Sequence, residues 1–318
     1  MSAGKAGFVG LGLMGFPMAA SLLAAGWEVT GWNRSEAAVS RLVALGGQGA
    51  ASVVDLRDQP VIVFMLPDLR YIIDAAAPLL ESWRAAPPAA GTAVVVMSSV
   101  SPTAVRGFGA LVHDASAGNA VVVDAPVSGG TTGAENSTLA IMVGASAEDF
   151  ERLLPLFSAM GTTVRRMGTL GAGSLAKACN QLIVGTTTAA LAEAAELAER
   201  SGMDAAALFE VLSGGLAGSR VLDIVGPRLA AKDYEPTGPA KFMHKDLNFV
   251  LESAAASGSA VPMASAGIGL YRELIDQGLG DQDLAVVRQA ISNLSDSHAT
   301  LTTQAITTQA TTTKEGQQ

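Results

Sequence analysis

The fold this 318-residue sequence predicts is a doubly wound α/β domain followed by an all-helical domain. Three observations predict it. The first half alternates short β-branched runs with stretches of helical length, a glycine-rich turn joins the first run to the first helix, and past Gly171 the strands stop while helical patterning continues. At about 100–200 residues per domain the length accommodates two domains. An apolar share of 49% is ample for two cores.

In order, the strands are read at Ala6–Val9, Glu28–Trp32, Val61–Met65, Ala93–Met97, Ala120–Asp124 and Leu139–Val143, with a last short one at Thr163–Met167. Between them lie helices over Leu13–Ala25, Glu36–Leu45, Ile72–Trp83 and Pro102–His113. Strands linked by helical crossovers pair in parallel, which gives a doubly wound parallel sheet. A long Ala- and Leu-rich helix, Leu175–Arg200, opens the second domain, and helices follow at Ala205–Leu212, Lys241–Ala256 and Ala264–Leu274. The expected boundaries are 1–168 for the α/β domain and 169–298 for the all-α C-terminal domain, joined by the long helix. A Thr/Gln-rich tail over 299–318 has no apolar face and is expected to be disordered.

Composition excludes several classes. Twenty Lys and Arg against 29 Asp and Glu give a net charge of −9, which offers no basic face to nucleic acid. The uncharged stretch from Ala6 to Trp27 imitates a signal peptide, but Gly7, Gly10, Gly12, Gly15 and Pro17 punctuate it too densely for a uniform apolar helix. No membrane span is therefore expected. The single cysteine, Cys179, makes no internal disulfide and points to a reducing compartment, hence a cytoplasmic protein. His113, His244 and His298 are far apart, lack metal-ligand spacing with Cys179, and read as surface or cap residues. A hydrolase elbow is absent, because Pro126 stands where the G-x-S-x-G pattern around Ser128 needs its first glycine.

The chemistry begins at Gly10-Leu11-Gly12-Leu13-Met14-Gly15, a G-x-G-x-x-G turn between a strand and a helix. Gly10 permits the tight turn, Gly12 lets backbone approach a pyrophosphate, and Gly15 allows close helix–strand packing, while the helix N-terminus faces the phosphates. An Asp or Glu about 20 residues further on would accept bonds from an NAD ribose. The second strand ends instead in Asn33-Arg34-Ser35, neutral and cationic, which suits a 2′-phosphate. NADP is the expected cofactor, with NAD possible. Ser35 adds a hydroxyl and stands where it can cap the next helix.

Four segments together resemble the β-hydroxyacid dehydrogenase family, which includes 3-hydroxyisobutyrate dehydrogenase and 2-hydroxy-3-oxopropionate (tartronate semialdehyde) reductase. They are GLGLMG at Gly10–Gly15, DAPVSGG at Asp124–Gly130 with GAENSTLAIMVG after it, GAGSLAKACNQ at Gly171–Gln181, and KDL at Lys245–Leu247. The likeness runs from about Lys5 to Ile291. The stretch Gly214–Asp223, GGLAGSRVLD, looks more like the reductases than the isobutyrate enzymes.

The resemblance implies an NADP-binding Rossmann domain and an oxidoreductase acting on a small carboxylate substrate, a semialdehyde or its 3-hydroxy acid. It implies that Ser128, Gly129 and Gly130 hold the carboxylate and that Lys177 is the catalytic acid/base. It further implies that Leu66, Pro67 and Ser99 line the cofactor cleft and that Lys245 approaches the nicotinamide end. Residue chemistry is compatible. Successive N–H groups in a Ser-Gly-Gly turn form an anion site, and a desolvated lysine exchanges protons near neutral pH. Asn180 and Gln181, at i+3 and i+4 from Lys177, share its helix face; many relatives carry a second Asn where Gln181 stands. Read without the resemblance, Lys177 is an ordinary surface lysine, the Ser-Gly-Gly turn a flexible loop, and Lys245 the neighbour-pair of Asp246 on a solvated face. The sparsely charged face of the long helix predicts a homodimer or homotetramer. A non-catalytic dinucleotide sensor on the same fold is the competing class, against which Lys177 and the complete Ser-Gly-Gly loop speak. Imine reductases share the architecture but typically lack the lysine.

Overall fold

The apolar runs of the first half pair into one nine-stranded sheet in the computed structural model, which describes residues 3–297. The tail over 299–318 and His298 lie outside the described residues. The strands are β1 (Gly4–Val9), β2 (Trp27–Trp32), β3 (Gln48–Gly49), β4 (Val61–Phe64), β5 (Thr92–Val96), β6 (Ala120–Asp124), β7 (Val127–Ser128), β8 (Leu139–Gly144) and β9 (Gly161–Gly168). The first six lie in the order β3-β2-β1-β4-β5-β6, all parallel, so the winding reverses between β1 and β4. Ligands bind open α/β sheets beyond the carboxyl ends of the strands at such a reversal.

The last strands depart from the expected parallel set. β8 runs antiparallel to β6 and β7, and β9 lies parallel to β8. The reason is the length of the connection. A parallel return needs a full crossover, but between β7 and β8 the chain forms only the six-residue helix α5 (Gly130–Glu135) of the set below. It therefore turns straight back, pairing Ser128 with Ala140. β9 follows a full crossover helix and regains the direction of β8.

The helices of this half are α1 (Gly15–Ala24), α2 (Glu36–Ala44), α3 (Leu69–Ala85), α4 (Pro102–Ala115), α5 and α6 (Ala147–Ser158). They cover both faces, which is why the strands read as continuous apolar runs rather than alternations. Phe8, Val63 and Val95 face one core with Met18, Leu22 and Phe157; their neighbours Val9, Phe64 and Val94 face the other with Ile72, Trp83 and Phe108. Ser101 and Ser146 cap α4 and α6 through the N–H groups of Ala104 and Asp149. Ser35 occupies the N-cap of α2 but makes no side-chain cap bond, contrary to the role its position allows.

The long helix is α7 (Ala172–Arg200); α8 (Ala205–Ser213), α9 (Arg220–Ala231), α10 (Lys241–Ser257) and α11 (Pro262–Asp276) follow, then a helical stretch over 287–297. α9 escaped the sequence reading because Gly226 and Pro227 interrupt it. Gly226 sits where a Cβ would meet Leu222 Cδ1 at 2.8 Å, so the glycine serves packing rather than breakage. The described residues divide into two compact units: 3–180 with Glu252–Gly258, and Gln181–Leu251 with 259–297. In the second, buried Arg288 pairs with Glu199 at 2.6 Å and Lys232 meets the same carboxylate at 3.0 Å. Tyr271, fully buried, donates to the Gly185 carbonyl at 2.9 Å. No helix among the described residues is long and apolar enough to cross a membrane.

Candidate active site

At the carboxyl end of β1 the backbone turns on Gly10, whose φ of 99° belongs to glycine. A Cβ there would meet the Met65 carbonyl at 2.3 Å, and one on Gly15 would meet the Gly10 carbonyl at 1.9 Å. Gly12 is the opposite case, exposed with nothing within 4 Å of its Cβ position. The turn is thus closed on its protein side and open above Gly12, the arrangement a pyrophosphate needs. The residues present fit a dinucleotide. Leu11 is buried, Met14 is half-buried, and Leu13 projects 65% exposed beside the turn.

The second strand delivers Asn33 to this turn. Its Oδ1 accepts the Leu11 N–H at 3.0 Å, and its Nδ2 donates to the Ser35 carbonyl at 3.3 Å. Arg34 and Ser35 are exposed. The neighbouring strand ends, β4 and β5, bring half-buried Leu66, exposed Pro67 and half-buried Ser99 to the same edge. The Ser98 hydroxyl, which sequence reasoning passed over, accepts the Leu66 N–H at 3.0 Å and ties these two ends together.

The Ser-Gly-Gly segment is a defined turn, not a flexible loop. Ser128 is paired with Ala140 in the sheet, and Gly129 and Gly130 take φ values of 137° and 63°. Helix α5 follows, and the Ser137 hydroxyl donates to that of Ser21 on α1 at 2.9 Å. The segment that follows the Ser-Gly-Gly turn and α5 is therefore joined to the helix that follows the glycine-rich turn by a direct side-chain bond.

Lys177 is buried, 9% exposed, and Asn180 is half-buried. This overturns the surface-lysine reading. The first turn of α7, which carries Lys177, lacks its own capping side chain because Gly171 holds the N-cap place. Asp124, fully buried at the end of β6, supplies the cap: its carboxylate accepts the Gly171 N–H at 2.7 Å and the Ser174 N–H as well. Burial pushes the Asp124 carboxyl above the usual range, and those N–H bonds draw it part of the way back. An acid closing the apolar run Val121-Val122-Val123 was the sequence signal for this residue.

In the second unit, Gln181 Nε2 donates to Asp246 Oδ2 at 2.7 Å, and Lys245 Nζ meets Asp246 Oδ1 at 2.9 Å. Lys245 thus forms the neighbour pair with Asp246, but not on a solvated face, since Asp246 is 4% exposed and the Lys245 side chain 20%. Lys245 Nζ also lies 4.8 Å from the Phe249 ring centre. Asp246 is a second residue without an assigned role in the sequence reading, and it unites two that had one. His244 is half-buried with an enclosed Nε2, not a surface residue; burial and then Arg272 lower its pKa. Cys179 is exposed. No group of three metal-ligating side chains occurs among the described residues.

Residues 5–171 match the family model of the NAD binding domain of 6-phosphogluconate dehydrogenase, and residues 171–291 that of the NAD-binding domain of NADP-dependent 3-hydroxyisobutyrate dehydrogenase. The chain is 36% identical to an NAD-dependent L-serine dehydrogenase of Pseudomonas aeruginosa, over 89% of this chain and 96% of that one. It is 32% identical to the 2-hydroxy-3-oxopropionate reductase of Escherichia coli, over 92% and 98%. Among solved structures, a Mycobacterium tuberculosis 3-hydroxyisobutyrate dehydrogenase with L-serine superposes with a TM-score of 0.79 at 29% identity, covering 92% of this chain and 99% of that one.

Proposed function

The chain belongs to the β-hydroxyacid dehydrogenase family, NAD(P)-dependent oxidoreductases acting on CH–OH groups, and we propose that it interconverts a small carboxylate-bearing 3-hydroxy acid and its semialdehyde, with NADP preferred over NAD. The carrying observation is buried Lys177, one helical turn from a cap fixed to the strand that leads into Ser128-Gly129-Gly130.

In this reading Gly10–Gly15 cradle the pyrophosphate, Asn33, Arg34 and Ser35 meet the adenosine end, and Leu66, Pro67, Ser99 and Lys245 complete the cofactor contacts. The nicotinamide, when bound, supplies or takes the hydride. Ser128 donates to the substrate carboxylate, and the rigid backbone of Gly129 and Gly130 shapes its seat. Lys177 gives a proton to the substrate oxygen in reduction and takes it back in oxidation. Asn180 and Gln181 orient that oxygen, and Asp246 fixes the Gln181 amide by holding its Nε2. The low exposure of Lys177 keeps bulk water from competing for the proton.

For substrate we propose the three-carbon class of 2-hydroxy-3-oxopropionate, supported by the Gly214–Asp223 segment and the reductase relative. L-serine is the second reading, favoured by the 36% identical relative named for it. We also propose a homodimer or homotetramer, supported by Ile183, Leu197 and Val211 on the helical unit, which are 63%, 70% and 76% exposed. The test is turnover of 2-hydroxy-3-oxopropionate, L-serine and 3-hydroxyisobutyrate with each cofactor, in the wild type and in Lys177→Ala. Loss of a general acid/base lowers kcat about 10²–10⁴-fold. Retention of more than about a tenth of kcat moves proton transfer to another group.

A further inference from the structure

We infer that Asp124 is a positioning residue for the reaction: it fixes Lys177 relative to the Ser128–Gly130 turn by capping the helix that carries the lysine from the strand that carries the turn. The inference rests on the proposed role of Lys177 and goes beyond it.

A helix cap normally comes from the residue just before the helix, whose side chain accepts an N–H of the first turn. Here that residue is Gly171, which has none, and a carboxylate 47 positions upstream takes its place. Asp124 accepts the N–H of Gly171 at the cap and that of Ser174 in the first turn, so both ends of the turn hang on one side chain. Lys177 stands three residues beyond Ser174, and residues three apart share a helix face. On the other side, Asp124 ends β6, and only Ala125, Pro126 and Val127 separate it from Ser128. Those residues are themselves pinned, since Ala125 N–H donates to Val96 at 2.7 Å and Pro126 accepts the Met142 N–H at 3.1 Å.

The packing leaves no slack at this junction. A Cβ on Gly173 would meet the Met142 carbonyl at 2.2 Å and the Asp124 carbonyl at 2.7 Å, and one on Gly144 would meet Asp124 Oδ1 at 2.1 Å. Strand β8, which pairs with Val127 and Ser128, therefore also presses on the first turn of α7. A cap serving stability alone needs no such approach to the strand that supports the substrate turn. Misplacing a reacting group by about 1 Å costs on the order of 10²-fold in rate.

The test is a double-mutant cycle of Asp124→Asn with Lys177→Ala, read with the fastest of the three substrates above and with NADPH affinity measured by fluorescence. Asparagine keeps the shape but turns an N–H donor toward one of the two N–H groups. We expect kcat to fall about 10- to 100-fold, NADPH affinity to stay within about twofold, and Asp124→Asn to add little once Lys177 is gone. Gly173→Ala, which lifts the same turn without touching the carboxylate, should show the same split and the same non-additivity. Unchanged kcat in Asp124→Asn, a loss of NADPH binding in step with kcat, or losses that multiply with Lys177→Ala would each overturn the inference. If Lys177→Ala itself stays active, the fault lies with the proposed role of the lysine instead.

Discussion

Replacing Asn33 by Asp isolates the cofactor question. In the wild type the Asn33 amide spans the glycine turn, accepting from Leu11 and donating to the Ser35 carbonyl. Aspartate keeps the first bond but sets a carboxylate oxygen against the Ser35 carbonyl, a loss of about 0.5–1.5 kcal/mol borne equally by both cofactors. Discrimination comes from charge. At about 5 Å in an effective dielectric of about 40–80, one charge pair is worth about 0.8–1.7 kcal/mol. A phosphate carrying about 1.5–2 charges makes that about 1.2–3.4 kcal/mol, or roughly 8- to 300-fold in the NADPH/NADH ratio of kcat/KM. Arg34→Ala is the complement. Arg34 is exposed and makes no hydrogen bond or ion pair among the described residues, so removing it leaves the fold intact. Losing its bond to a charged group should weaken NADPH by about 1.5–3 kcal/mol and leave NADH unchanged. The assay is initial rate with each cofactor at saturating substrate and two salt concentrations, the phosphate effects shrinking at the higher one. A wild type that prefers NADH, or an Arg34→Ala that weakens both cofactors alike, refutes the reasoning.

Other expectations follow from the same geometry. Ser128→Ala should raise KM for a carboxylate substrate by about 10-fold or more, from a lost bond to a charged group, while the uncharged amide analogue is unaffected; equal losses for both remove the anion role. Bonds from Arg288 and then Lys232 hold the Glu199 carboxyl below its usual value of 4.5. A depressed native pKa stabilises the fold above the unfolded value and is lost as pH falls through the native one. Melting temperature should therefore drop on acidification below about pH 4.5, and Glu199→Gln should flatten that limb. Asp124 has the opposite sign: its raised native pKa favours the fold below 3.8, and that gain is lost as pH rises through the native value. Light scattering at micromolar concentration should give a multiple of the 32.2 kDa chain mass, and a monomer mass alone rejects the proposed assembly.

The sequence by itself determined strands β1, β2, β4, β5, β6, β8 and β9 and helices α1 to α4, because strands buried on both faces are continuous apolar runs and Gly10, Gly12 and Gly15 have few other uses between a strand and a helix. It did not give β3, β7 or α6. It also placed Lys177 on a helix and Ser128 at a turn. Tertiary structure alone decided the rest. The reversal at β8 depends on the shortness of α5, which local composition does not encode. The six-residue α5 and the Pro-bearing α9 stay hidden because a short or interrupted period gives little signal, whatever the packing around it. Burial of Lys177 and partial burial of Lys245 were likewise invisible, since a lysine reads as solvated until the surfaces covering it are known. Asp124 and Asp246 show the limit most plainly. Asp124 closes an apolar run and Asp246 reads as the partner of adjacent Lys245, yet each also holds partners distant in sequence: Gly171 and Ser174 for Asp124, Gln181 for Asp246. A carboxylate enters a core only against N–H groups already fixed to receive it, and those are set by the fold, not by the residues beside it.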